Sequence, residues 1–283
     1  MDPSTINAYA AAGAMAVACA VLSIFVVARG WAFMGEGISH SGFGGAGTAW
    51  MLMVLFPSLN RGEISGTLPY LFVTVFCFAT AIGIGWLAAG QRVASDVAIG
   101  IFLVASLAWG FIGQNVYTAT YHTTPAGFDN LLFGQLRAVG RLYAVGAVGV
   151  AVGVVACTAL LWKELIAYCV DPLLARTSGV RTTFVHALLM LMLALVIVTG
   201  IRVVGSVLVT ALLVLPAASA NLLSRRLRTT IAISVAVGLA GAWGGLLTSS
   251  RFRAVPAGSA IVLVMFLIFL GALVASKLRR SVG

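Results

Sequence analysis

Residues 203–223 read VVGSVLVTALLVLPAASANLL, twenty-one positions without a charged side chain. A helix rises 1.5 Å per residue, so such a run covers about 30 Å, the thickness of the hydrocarbon layer of a bilayer. Runs of this kind recur along the whole chain. Working outward from it gives nine apolar segments, at 8–28, 31–56, 68–90, 96–117, 139–162, 184–200, 203–223, 229–249 and 257–276. Of the 283 residues 61% are hydrophobic and only 8% charged, against roughly 25% charged in a soluble domain. The short alternating strands of an outer-membrane barrel are absent from the pattern. The expected fold is an all-α integral membrane protein, a polytopic bundle of eight to nine transmembrane helices. No polar stretch is long enough for a soluble domain, so residues 1–283 read as one transmembrane domain.

The net charge of +10 does not point to nucleic acid, because the basic residues cluster between apolar runs, where they set orientation. If all nine segments cross, one set of alternate loops carries 11 of the 17 Lys and Arg and the other carries 6. The richer set reads as cytoplasmic, with the C-terminus and the 163–183 loop inside and the N-terminus outside. The tight link TGIRVVG at 199–205 is the point at which a re-entrant segment would change that count. The opening MDPSTINAYA has no basic residue ahead of the first run and does not resemble a cleaved leader. Cys19, Cys77, Cys157 and Cys169 form no CxxC pair and read as small packing residues rather than disulfides or metal ligands.

Seven acids occur, and six lie at the terminus, in loops or at segment ends. Glu36 alone shares an apolar run with a histidine, in MGEGISHSGFGGAG at 34–47. A carboxylate deep in a bilayer costs roughly 3 kcal/mol even on the lenient insertion scale, so it faces a cavity, a partner or an ion. Four residues make a little over one helical turn and place Glu36 and His40 on one face. A carboxylate oxygen and an imidazole nitrogen there suit zinc, manganese or iron, not calcium or magnesium. The competing reading leaves Glu36 near the membrane rim, snorkelling or paired with Arg29. The density of Gly42, Gly44, Gly45 and Gly47 predicts a bend or an unwound turn. His122 and Asp129 read as solvated loop residues, His186 as an interfacial or packed histidine, and Arg141 and Arg202 as snorkelling cations. Neither GxxxxGK[ST] nor HExxH occurs, so the chain is not expected to be an enzyme.

Six stretches resemble, in order, the permease subunits of zinc/manganese/iron-type ABC importers. They are Gly35-Glu36-Gly37-Ile38-Ser39-His40, SDVAIGIFLVASLAWG at 95–110, LLFGQ at 131–135, LWKELIAYCVDPLLARTSGV at 161–180, residues 203–223, and VPAGSAIVLV at 255–264. The family's pattern has Asp where this chain has Glu36, and often an Asp where it has Ala254.

The resemblance implies a type II ABC importer-like fold in the plasma or inner membrane of a prokaryote, with Glu36 and His40 on the metal path. It implies a coupling helix in the 163–183 loop, with Asp171 as N-cap, Pro172 in the first turn, and Leu173, Leu174 and Ala175 as ATPase-coupling residues. It also implies a homodimer of permeases, a cytoplasmic ATPase that carries the ATP, and an extracytoplasmic metal-binding protein. The transported ion would be zinc or manganese, or iron. An importer of a chelated metal or other small solute, an ion-gradient-driven secondary transporter with Glu36 as the titrating group, and a structural membrane protein remain as alternatives.

Overall fold

The computed structural model of the chain describes residues 3–60, 62–89, 94–125, 131, 134, 139–252 and 255–282. Among the described residues there is helix and no strand. The long helices are α1 (Pro3–Ala28), α2 (Met34–Leu55), α3 (Gly62–Ala89), α4 (Ser95–Tyr121) and α5 (Arg141–Leu160). Two short helices follow, α6 (Trp162–Val170) and α7 (Pro172–Thr177). The chain then continues through α8 (Thr182–Val203), α9 (Ser206–Leu223), α10 (Leu227–Arg251) and α11 (Ala257–Val282). Each of the nine apolar segments becomes one long helix. Eight of these are long and apolar enough to cross a membrane by themselves, and the chain is an integral membrane protein. The ninth, α2, carries Glu36, His40 and its glycines, and it is enclosed by α3, α4, α8 and α9. A helix of that composition is tolerated in a bilayer when protein covers it.

The expected bend in α2 is not found. The helix runs unbroken from Met34 to Leu55, and the glycines serve contact instead. A Cβ on Gly45 would strike the Phe72 backbone of α3, and one on Gly47 would stand 2.6 Å from the Gly110 Cα of α4. Gly44 faces Ser106, and Gly113 of α4 meets Gly47 in return. In lipid, where tails are as apolar as leucine, close backbone approach through small residues is a main source of helix–helix attraction. The α1 helix forms the other part of the centre. Ser23 and Ser234 meet there 3.2 Å apart, and the Ser234 hydroxyl donates to the Ala20 carbonyl at 2.8 Å.

Two arginines sit at opposite sides of the bundle's centre. At one end Arg29 stacks over Trp31 and over Tyr168 of α6, so the α1–α2 connection and the α6–α7 segment lie together. Toward the other side, at the α8–α9 hairpin, Arg202 lies over the rings of Tyr70 and Tyr143, with its guanidinium donating to the Tyr143 hydroxyl. The TGIRVVG link is a tight hairpin: α8 ends at Val203, α9 starts at Ser206, and Gly205 takes φ +94°, a region that glycine enters freely. Gly200 packs on Val209 across the turn, and Ile201 reaches Gly42 of α2. Because α2 continues from Gly42 to Leu55, the hairpin stops on the order of 20 Å short of that end of α2. All four cysteines are free thiols.

Candidate functional site

The chain leaves α1 through Gly30 in the left-handed region, at φ +69°. The Trp31 N–H returns to the Val26 carbonyl, and the Trp31 carbonyl accepts from Met34 N–H at 2.9 Å. That turn starts α2 and puts Glu36 in its first turn, where the positive end of the helix dipole favours an anion. One turn later, His40 Nε2 lies 2.7 Å from Glu36 Oε1. Glu36 is therefore paired with His40, not with Arg29. The two side chains are 39% and 16% exposed, so the carboxylate is the more open of the two. The His40 ring stacks on Phe43 at 5.7 Å, and its Nδ1 is buried without a partner among the described residues.

A third residue comes from α9. The Thr210 hydroxyl donates to the Val207 carbonyl at 2.9 Å and stands beside the Glu36 carboxylate. Gly35 permits this approach: a Cβ there would stand 3.1 Å from Leu213 and 3.7 Å from the Thr210 methyl. The linear sequence carries no signal for Thr210, because its link to Glu36 depends on how the α8–α9 hairpin is set against α2.

The arrangement suits a divalent transition metal in place of the proton shared by Glu36 and His40. Metal–nitrogen and metal–oxygen bonds of about 2.1 Å separate the two donors by about 3.0 Å at a right angle and about 3.4 Å at a tetrahedral one, so the pair would open by about 0.3–0.7 Å from its 2.7 Å spacing to take an ion between them. Two donors do not complete a shell, and among the described residues no group of three or more His, Cys, Asp or Glu could hold a metal ion.

Around the 163–183 loop, Asp171 caps α7, its carboxylate accepting from Leu173 N–H at 2.8 Å and Leu174 N–H at 3.1 Å. Pro172 opens the helix. Leu173 and Leu174 are 76% and 64% exposed, whereas Ala175 is 3% exposed and seats the loop against the bundle rather than offering a docking face. Burial keeps the Tyr168 hydroxyl above its ordinary range and pushes the Cys169 thiol up to about 11, against the opposing influence of Arg29. His122 is exposed and closes α4 at φ 54°. His186 is packed, with Nδ1 2.8 Å from the Tyr168 hydroxyl. Asp129 and Ala254 lie outside the described residues.

The family model described as the ABC 3 transport family matches residues 1–276. The chain is 33% identical to the manganese import system permease protein ScaB of Streptococcus gordonii over 264 residues, 93% of this chain and 88% of that protein. It is 28% identical to the chelated iron transport system membrane protein YfeD of Yersinia pestis, covering 96% and 86% of the two chains. Its structure aligns with that of PsaBC from Streptococcus pneumoniae in complex with Fab at a TM-score of 0.76, with 29% identity over 96% of this chain and 91% of that one.

Proposed function

The chain belongs to the ABC 3 transport family, and on that premise we propose that it is the permease subunit of an ATP-driven importer of a divalent transition metal. Manganese is the favoured cargo, with zinc and iron next. The Glu36–His40 pair, 2.7 Å apart on an enclosed helix, is the observation that carries this reading. The manganese permeases among its relatives support the choice of ion.

One copy offers two strong donors and two copies offer four, the number that closes a tetrahedral shell. A homodimer around one path therefore completes the site. A cytoplasmic ATPase chain supplies the energy by docking at the 163–183 loop, where Leu173 and Leu174 stand free and Asp171 and Pro172 fix the helix that presents them. An extracytoplasmic binding protein delivers the cation, and the assembly sits in the plasma or inner membrane of a prokaryote.

A chelated-metal cargo is the second reading. The YfeD relative favours it, as does the small number of donors within one chain.

The test is ATP-dependent uptake into vesicles holding this chain, its ATPase and its binding protein, offered manganese, zinc and iron as free ions and as chelates. Accumulation of one free ion, lost in Glu36→Gln and in His40→Ala while the ATPase stays bound, supports the first reading. Uptake of chelates alone supports the second. Uptake driven by an ion gradient without ATP would overturn both.

A further inference from the structure

Outside the Glu36–His40 pair, a cluster of part-buried polar and aromatic contacts lies at the Arg29 end of the bundle. The Tyr168 hydroxyl of α6 and Nδ1 of His186, in the first turns of α8, are 2.8 Å apart. The His186 ring meets the Trp31 ring edge-on, 5.5 Å between centroids at 76°. The Arg29 guanidinium lies 5.1 Å from the Trp31 ring and 4.8 Å from the Tyr168 ring. Trp31 and Tyr168 are both buried. Gly85 of α3 makes room, since a Cβ there would stand 3.1 Å from His186 Nε2.

These four side chains come from three separate parts of the chain, and each part leads somewhere. Tyr168 lies one turn before Asp171, the cap of α7. Trp31 supplies the carbonyl that receives Met34, the first residue of α2, two positions before Glu36. His186 stands between them. We propose that Tyr168 and His186 are positioning residues that tie the α6–α7 segment to the start of α2, so that movement of that segment reaches Glu36.

This inference rests on the reading that the 163–183 loop docks the ATPase. The linkage is physical: a directional hydrogen bond fixes the imidazole plane, and the ring edge fixes Trp31. A histidine that only filled space would need neither.

The experiment uses the full complex of permease, ATPase and binding protein in vesicles and records manganese ions imported per ATP hydrolysed, together with ATPase retained on the purified permease. Tyr168→Phe keeps the ring and removes the hydroxyl. His186→Gln places its amide near Nε2 and loses the Nδ1 acceptor, whereas His186→Asn places an amide oxygen where Nδ1 lies. The expected result is a fall of about fivefold or more in ions per ATP for Tyr168→Phe and His186→Gln, with recovery in His186→Asn and the ATPase retained in all three. Wild-type ions per ATP in Tyr168→Phe, or equal losses in the two His186 variants, overturn the proposal while leaving ATPase docking intact. Loss of the ATPase from Tyr168→Phe would make the pair part of the docking surface and overturn it as well. Failure of the wild-type chain to hold any ATPase would remove the docking reading itself, and the inference with it.

Discussion

Gly47 of α2 and Gly110 of α4 meet backbone to backbone, with a Cβ on Gly47 standing only 2.6 Å from the Gly110 Cα. The neighbour at that point is main chain, which has no rotamer to turn aside. Gly47→Ala is therefore expected to cost about 1–3 kcal/mol through overpacking. Gly66 of α3 has nothing within 4 Å of its missing Cβ, so Gly66→Ala should be neutral or gain up to about 1 kcal/mol from helix propensity. Thermal unfolding of the purified chain in detergent checks both, and a Gly47→Ala midpoint equal to wild type would sink the close-contact account.

Thr210 stands beside the Glu36 carboxylate across the α2–α9 boundary, where its hydroxyl is the nearest polar group of α9 that a bound ion's ligand could lean on. Partners of this outer kind typically change metal affinity by about 10–100-fold when lost. Thr210→Val should therefore raise the manganese concentration for half-maximal uptake by about tenfold and leave the maximal rate much less affected. Thr210→Ser keeps the hydroxyl and should stay near wild type. Concentration series of uptake in vesicles separate the two, and a serine variant as weak as the valine would show that the methyl matters, not the hydroxyl.

Asp171 closes two otherwise open N–H groups at the start of α7. Asp171→Ala should weaken that short helix by about 1 kcal/mol, whereas Asp171→Asn should hold most of it. Since Leu173 and Leu174 are presented by this helix, the alanine variant should retain less ATPase on purification than the asparagine variant. Equal retention would mean that the docking surface does not depend on α7 being formed.

The Cys169 thiol, pushed up to about 11 by burial, lies well above an ordinary cysteine. Only the thiolate reacts with alkylating agents, so Cys169 should label slowly at pH 7. Because its pKa is raised, the thiolate fraction should grow about tenfold per pH unit up to about pH 10. Peptide mapping after timed maleimide exposure at a series of pH values measures this. Fast labelling at pH 7 would contradict a raised pKa for this half-buried thiol.

The helices were legible because the bilayer imposes a length and a polarity on each of them. Runs such as 203–223 carry both in one dimension, and every one of the nine became a helix. The α7 cap was legible for a similar reason, since Asp171-Pro172 acts on its own next turn. The Glu36–His40 spacing was also local. The glycines at 42–47 misled, because a cluster of them reads equally as a weak helix or as a contact surface, and only the positions of Phe72 and Gly110 decide between the two. Thr210 was hidden because it meets a residue more than 170 positions away, and the Tyr168–His186 bond, spanning only 18 residues, because it depends on how the chain folds back across α7. Ala175 looked like its exposed neighbours in LLAR, and the turn of a six-residue helix set it inward.

The glycine contacts make α2, α3 and α4 a welded strut. Main chain presses on main chain at Gly45, Gly47 and Gly113, so α2 cannot slide along either neighbour without first prising it away. Glu36 and His40 ride on that strut. Opposite them stands α9, which touches α2 at Gly35 through the side chains of Thr210 and Leu213 and hangs from the two-residue hairpin at Val204 and Gly205. Side-chain contacts can shear where backbone contacts cannot. Movement that reaches Glu36 therefore carries α2, α3 and α4 as one body, and the α2–α9 seam is where the surroundings of the carboxylate can shear.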